Sequence, residues 1–324
     1  MTTHAPTPTD QPSNASSGDH AKPADRRAEP SDRAKAETRL GQRLVAPAIV
    51  LMLVVTAFPM IRALYLSLFN YSLTAPEDRE FVWFANYGVA LSDPLFWKDT
   101  AVTVLYMLVT VSVELVIGFV FAMVMHRVIF ARGVIRTSIL IPYGIITVVS
   151  GFAWQFAFSF QNGFINDWLP FIGSDFNWFG ETTPAVVAIM VSEIWKTTPF
   201  MSLLLLAGLA QVSEDMIEAA KVDGASWMQR LTRVILPNMR AAIMVAVLFR
   251  ALDAYRIFDN IFVMTAGAVN TESISFLTYR QTIEQFQLGI GSALSVLLFL
   301  SVLAIAALIV KIFRVDLAAA RQES

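Results

Sequence analysis

The sequence predicts an all-α integral membrane protein with six transmembrane helices. Three observations carry that prediction. Mean hydropathy is +0.57. Only 15% of the 324 residues are charged, against about 25% in an average soluble domain. The apolar residues are gathered into six runs, each long enough for the ~20 residues that cross a ~30 Å hydrocarbon core. These runs are 44–69, 101–125, 135–160, 184–209, 240–264 and 288–313.

Before the first span, residues 1–43 are rich in Pro, Ser, Thr and Ala and hold no apolar run, so a disordered tail is expected. Its end, Arg33 to Arg43, is basic enough for a short helix on the membrane surface. The run that follows is too long for the apolar core of a cleaved signal peptide. Residues 44–324 then form the membrane domain, with a long connection at 210–239. Cysteine is absent, which excludes disulfides, thiolate metal sites and cysteine nucleophiles. His4, His20 and His126 are too few and too scattered for a histidine-rich metal site.

Orientation follows from Lys and Arg. The tail, the second and fourth connections and the C-terminus hold seventeen, including Arg127, Arg132, Lys221, Arg230 and Lys311. The opposite three connections hold Arg79, Lys98 and Arg280. The positive-inside rule therefore puts both termini in the cytoplasm. Trp154, Trp168 and Trp178, near the outer ends of their segments, suit an interfacial aromatic belt. The outer connection 161–183 has no basic residue and several turn formers, which suits either a docking surface for a soluble partner or an ordinary solvated loop.

The connection between spans four and five reads as helix, turn, helix. Ser213 suits an N-cap, with Glu214 and Asp215 in the first turn where the helix dipole favours acids. Gly224 can take the left-handed conformation that ends a helix, Ser226 can cap a second one, and Pro237 suits the first turn of the next span. Ala219 and Ala220 leave a patch without bulk, and Glu218 beside them offers a charge for an arginine on a partner.

Charges also lie at mid-membrane. Glu193 and Lys196 are three apart on span four, while Arg250, Asp253, Arg256 and Asp259 follow at i+3 spacing on span five. Neighbours at that spacing can neutralise each other on one helix face. Glu193 lies nine residues inside Pro184 and Arg250 ten inside Arg240, roughly 14–15 Å deep at about 1.5 Å per residue. A charge there costs at least ~2.5–3.5 kcal/mol in lipid, so these side chains are expected to face protein or a water-filled cavity. One reading is a polar path for a solute with many hydroxyls; the other is an ion-pair network holding two helices together. Phe200 and Tyr255 would offer aromatic faces to sugar rings. Glu114 in span two has no partner nearby in sequence, and a bond across helices or a place on the path is open to it. Arg62 is near enough to an end to snorkel to water. Gly151, Gly208, Gly289 and Gly291 suit close helix approach.

Glu218-Ala219-Ala220, Asp223-Gly224-Ala225 and Ile235-Leu236-Pro237 resemble the EAA loop of ABC importer permeases. Trp227 and Leu231 stand near the place where that family has a phenylalanine. Phe81 to Tyr87, with Asn86-Tyr87, and Phe258 to Thr265 resemble the carbohydrate permeases of the same group, as do Leu140 to Thr147, Trp195 to Ser202 and Arg250 to Asn260. The resemblance implies a type I ABC importer permease fold in a cell inner (plasma) membrane, moving a disaccharide such as trehalose. It implies a second permease subunit, two ATPase subunits and a lipid-anchored, extracytoplasmic sugar-binding protein as partners. The loop would be the coupling helix docked on an ATPase, through Glu218, Ala219, Ala220, Asp223, Gly224 and Trp227. Glu193, Lys196, Thr197, Phe200 and Arg250 align with sugar contacts in a maltose permease of the group; Asp253 and Tyr255 join them as candidates for the substrate path.

The sequence has no G-x-x-x-x-G-K-[ST] phosphate loop, so ATP and Mg are expected on partner subunits, with no cofactor on this chain. Neither H-E-x-x-H nor G-x-S-x-G occurs, which speaks against an intramembrane enzyme. No nucleic-acid partner is expected. Two alternatives stay open: an importer of another sugar or glycerol 3-phosphate, and a proton-coupled secondary transporter using Glu193 or Asp253.

Overall fold

A computed structural model of the chain describes residues 32–128, 131–169, 171, 173 and 176–313. The tail expected at 1–43 lies outside these as far as residue 31, as do Arg314 and Arg321. Residues 32–43 are helical and run on into the first span. The chain divides into two compact units, Met1–Ala57 and Phe58–Ser324. The described part of the first unit is the leading stretch of α1 (Asp32–Leu66).

The second unit begins with the end of α1 and a feature absent from the sequence prediction, a two-stranded antiparallel hairpin of β1 (Phe69–Ser72) and β2 (Ala75–Phe81). It is pinned by α2 (Ala85–Ser92). Asn86 Nδ2 donates to the carbonyls of Ser67 at 2.8 Å and Phe69 at 2.9 Å, and Tyr87 Oη lies 2.7 Å from Ser67 Oγ. The Asn-Tyr pair singled out from the sequence is therefore a structural clamp on the end of α1 and the start of the hairpin.

α3 (Pro94–Arg127) is the second span, capped by Asp93, whose carboxylate accepts from Leu95 N at 2.8 Å. The third span is broken into α4 (Arg132–Gly144) and α5 (Thr147–Ala157), which meet at 89°. The break has a local cause. Pro142 removes a backbone donor inside the last turn of α4, and Ile145 and Ile146 are extended, with ψ of 138° and 133°. After the short α6 (Ile165–Trp168), α7 (Thr182–Leu209) forms the fourth span and packs along α3 more extensively than any other helix pair.

The long connection folds as α8 (Glu214–Val222) and α9 (Trp227–Arg230), followed by a π-turn at Leu231–Ile235 and α10 (Leu236–Asn238). A bend of 71° leads into the fifth span, α11 (Arg240–Ala254), which stops short of α12 (Asp259–Met264). α13 (Ile274–Tyr279) precedes the sixth span, α14 (Leu288–Phe313). Among the described residues four helices are long and apolar enough to cross a membrane unbroken, and the two bent pairs bring the number to six.

Two glycines show how closely the helices meet. A Cβ on Gly208 of α7 would collide with the Ala242 side chain of α11, and one on Gly151 of α5 would come within 3.2 Å of Val263 of α12. The aromatic belt read from the sequence is corrected in part. Trp168 is exposed, but Trp178 is buried against Phe158 and Phe176, with its indole N–H donating to Asn166 Oδ1 at 2.8 Å. Trp154 packs against Phe158 and Trp195.

Candidate functional site

The two broken spans open onto the same cavity. It has a volume of about 540 Å³ and is walled by Tyr143, Ile145, Ile146 and Thr147 at the α4–α5 break, and by Arg256, Ile257, Phe258 and Asp259 at the α11–α12 break. Glu193, Lys196 and Thr197 of α7 and Asp253 and Asn260 complete it. Non-helical backbone at membrane depth is tolerated where it lines a polar cavity or is buried in protein, and both breaks meet that condition.

Behind the cavity wall lies a buried charge network centred on Arg250, whose side chain is completely inaccessible. Its Nε donates to Glu114 Oε2 at 2.6 Å and its Nη2 to Glu114 Oε1 at 2.9 Å, a two-pronged pairing between α11 and α3. Nη1 donates to Asp253 Oδ2 at 2.5 Å, and Nη2 lies 3.4 Å from Glu193 Oε1. Glu193 also accepts from Asn260 Nδ2 at 2.6 Å. Thr197 Oγ1 sits 2.8 Å from Glu114 Oε1 and 2.6 Å from the Glu193 carbonyl, so its one hydrogen can serve either.

The helix-face pairing expected from spacing holds for Arg250 and Asp253 alone. Lys196 does not pair with Glu193. Its ammonium donates to the carbonyl of Ile145 at 2.6 Å, which is free to accept because α4 has ended, and lies 5.9 Å from the Tyr143 ring centroid. Arg256 and Asp259 form no ion pair among the described residues, because the helix stops at Ala254 and the i+3 register is lost. Arg256 Nε donates instead to the Leu252 carbonyl at 3.0 Å.

Of the path candidates, Glu193, Lys196, Thr197 and Asp253 line the cavity, and Asp253 presents the most open carboxylate of the network. Arg250 is behind them. Phe200 stacks on Tyr143 with centroids 5.3 Å apart, so it is Tyr143 that faces the cavity. Tyr255 is 2% exposed and packed in the apolar core, which removes its ring from the cavity. Glu114, Asn260 and Tyr143 are the participants that spacing along one helix could not supply. The signal for Glu114 was its cost: a lone carboxylate in mid-span needs a cation on another helix.

The loop residues form a second constellation. Gly224, at φ +78°, follows the C-cap Asp223. Gly224 N donates to Lys221 O at 3.1 Å and Ala225 N to Ala220 O at 3.0 Å, the paired bonds of a Schellman motif. Ser226 and Gln229 form a capping box on α9, with bonds of 3.3 and 2.7 Å. Ser213 holds the N-cap position of α8, but its side chain makes no capping bond. Glu218, Ala219 and Asp223 are exposed, as are Met216, Val222 and Trp227, while Ala220 is half-buried.

Chemically the cavity offers carboxylates, an ammonium, a guanidinium, hydroxyls and an amide beside two aromatic rings, a set that suits hydroxyl-rich neutral solutes. Among the described residues no three acidic or histidine side chains could hold a metal ion. A multi-span bundle with a charged cavity where two spans break is a membrane transport protein. The chain belongs to the family of binding-protein-dependent transport system inner membrane components, whose model matches residues 114–317. The trehalose transport system permease protein SugA of Mycobacterium tuberculosis is 48% identical over 278 residues, covering 86% of this chain and 90% of that protein. The trehalose/maltose transport system permease protein MalF of Thermococcus litoralis is 37% identical over 281 residues, 86% of this chain and 95% of that one. A solved bacterial ABC transporter involved in alginate import contains a chain that superposes with a TM-score of 0.74 at 20% identity, covering 87% of this chain and 97% of that one, and so shares the type I importer fold.

Proposed function

We propose that the chain is a permease subunit that forms half of the translocation path of an ATP-driven importer for a disaccharide, trehalose first. The observation that carries this is the 48% identity with a trehalose permease across 86% of the chain, together with a polar cavity suited to hydroxyls. Its partners are a second permease (SugB-like), two ATPase subunits (SugC-like) that bind ATP and Mg, and an extracytoplasmic lipid-anchored sugar-binding protein (LpqY-like). Both termini are cytoplasmic by the basic-residue bias. The loop 210–239 then lies on the ATPase side and couples nucleotide state to the spans.

In this mechanism the binding protein delivers sugar from outside and ATP-driven closure of the ATPases moves α8. The spans tilt, and the sugar enters past Glu193, Lys196, Thr197 and Asp253. Arg250 holds those carboxylates in place from behind. Coupling free energies are reciprocal, so if ATP binding favours the conformation that accepts loaded binding protein, loaded binding protein in turn favours ATP binding. Stimulated ATP turnover is the readout expected of such an importer. Glycerol 3-phosphate fits less well, since the cavity carries the carboxylates of Glu193, Asp253 and Asp259 against only Lys196 and Arg256. A proton-coupled secondary transporter would leave the Schellman-ended loop without a role, and membership of a binding-protein-dependent family disfavours it.

The test is ATP hydrolysis by the reconstituted complex with its binding protein, across trehalose, maltose, sucrose and glycerol 3-phosphate. Stimulation by trehalose supports the reading. Stimulation by another solute alone keeps the importer and discards the sugar.

A further inference from the structure

A second cavity, of about 560 Å³, lies at the loop end of the bundle, where α3 and α7 both finish, at Arg127 and Leu209. Its rim is cationic: Arg127, Arg132, Lys221 and Arg230, with His126 beside them. Glu214 and Glu218 also border it, which leaves two permanent positive charges in excess. None of the four cations makes an ion pair among the described residues. Arg132 and Arg230 only steady themselves on carbonyls, Val128 at 3.0 Å and Ala225 at 2.6 Å. The floor is apolar: Leu209 and Ile235 are buried there, and Met123 and Ile217 half-buried.

We propose that this cavity is a binding site for one anionic phospholipid, its phosphate on Arg127, Arg132, Lys221 and Arg230 and its glycerol and acyl roots on Met123 and Ile217, above the buried Leu209 and Ile235. Three features select a lipid over a free anion. The site lies at the ends of two membrane spans, where head groups sit. A free phosphate would leave the half-buried Met123 and Ile217 uncovered. Basic pockets between spans on the cytoplasmic side attract anionic head groups. The orientation that makes this side cytoplasmic rests on the functional reading above.

The site also bears on coupling. At about 100° per residue, Glu214, Ile217, Glu218 and Lys221 share the face of α8 turned to the cavity. Met216, Ala219 and Asp223 lie on the opposite face, open to a partner. Of the residues expected to dock on an ATPase, Glu218 and Trp227 therefore border the cavity, and Ala219 and Asp223 carry the docking face. The lipid therefore backs the helix proposed to couple.

The experiment is native mass spectrometry of the full chain, purified with its partner subunits and exchanged into micelles holding either dioleoyl phosphatidylglycerol or dioleoyl phosphatidylcholine. One phosphatidylglycerol retained per chain at this site, with phosphatidylcholine lost, is the expected result. Arg127→Gln with Arg132→Gln should weaken retention about thirty-fold, roughly fivefold for each cation removed near the surface. Arg127→Lys with Arg132→Lys should restore it, which separates charge from misfolding. Equal retention of both lipids, or unchanged retention in the Gln variant, overturns the site. Displacement of phosphatidylglycerol by millimolar inorganic phosphate would make it a free-anion site and overturn the lipid. Orientation is read separately. The chain has no cysteine, so Met216→Cys labelled by an impermeant maleimide from outside intact cells would sink the orientation while leaving the lipid count to be judged alone.

Discussion

Glu114 and Arg250 form the contact whose removal is most informative, because each is fully buried and they sit on different spans. Glu114→Gln leaves the guanidinium with Asp253 and the more distant Glu193, and keeps one acceptor oxygen. Removing one partner of a buried pair costs about 3–5 kcal/mol, and this substitution belongs at the lower end, about 3. Arg250→Met strips the cation from three carboxylates, Glu114, Glu193 and Asp253, and belongs near 5. Independent losses would sum to about 8 kcal/mol. In the double variant the Glu114 charge has gone with its partner, so the expected loss is about 5 and the coupling about 3 kcal/mol. The assay is thermal unfolding of the purified complex in detergent, followed by tryptophan fluorescence. On the scale of a 150–250-residue cooperative unit, 3 kcal/mol is roughly 6–12 °C in Tm. Additivity within about 0.5 kcal/mol would refute the reasoning, since Glu114 and Arg250 would then be neighbours without energetic dependence.

Lys196→Met removes the bond that ties α7 to the Ile145 carbonyl at the α4–α5 break; uptake of radiolabelled trehalose should fall at least tenfold at matched membrane abundance, and unchanged uptake would remove Lys196 from the path. Gly224→Val forces a β-branched residue to φ +78°, where a left-handed L-residue costs about 1–2 kcal/mol. ATP turnover by the complex should then lose its stimulation by loaded binding protein while membrane insertion persists, and full stimulation would dissociate the turn from coupling. Glu272, outside the spans, has its carboxyl pushed up to about 7, first by burial and then by the Asp99 carboxylate, against the pull of Arg280 and Lys98. The folded state therefore binds the extra proton between its ordinary value and about 7, and stability is greatest below that window and declines as pH rises through it. Glu272→Gln should flatten the dependence of Tm between pH 5 and pH 8; an identical slope in the variant would show that another group is responsible.

Some elements follow from the chain alone because their causes are local. The apolar runs are long enough to cross a bilayer whatever they pack against. Gly224 ends α8, and Ser226 starts α9, through backbone geometry and capping bonds within a few residues. Pro142 and Gly144 mark the α4–α5 break, although an uninterrupted run at 135–160 is what hydropathy reads.

The charge network is different. Helical spacing pairs Glu193 with Lys196 and carries the i+3 series through Asp259, yet the structure sends Lys196 to a carbonyl 51 residues away and Arg250 to a carboxylate 136 residues away. Pairing along one helix is worth only about 0.2–0.5 kcal/mol, whereas a buried guanidinium left without its partner costs several kcal/mol, so cross-helix partners win. Sequence by itself determined that charges at this depth must be satisfied. Only the tertiary structure decided which groups satisfy them, because α3, α7 and α11 meet through packing, and no spacing within one helix encodes the distance between two.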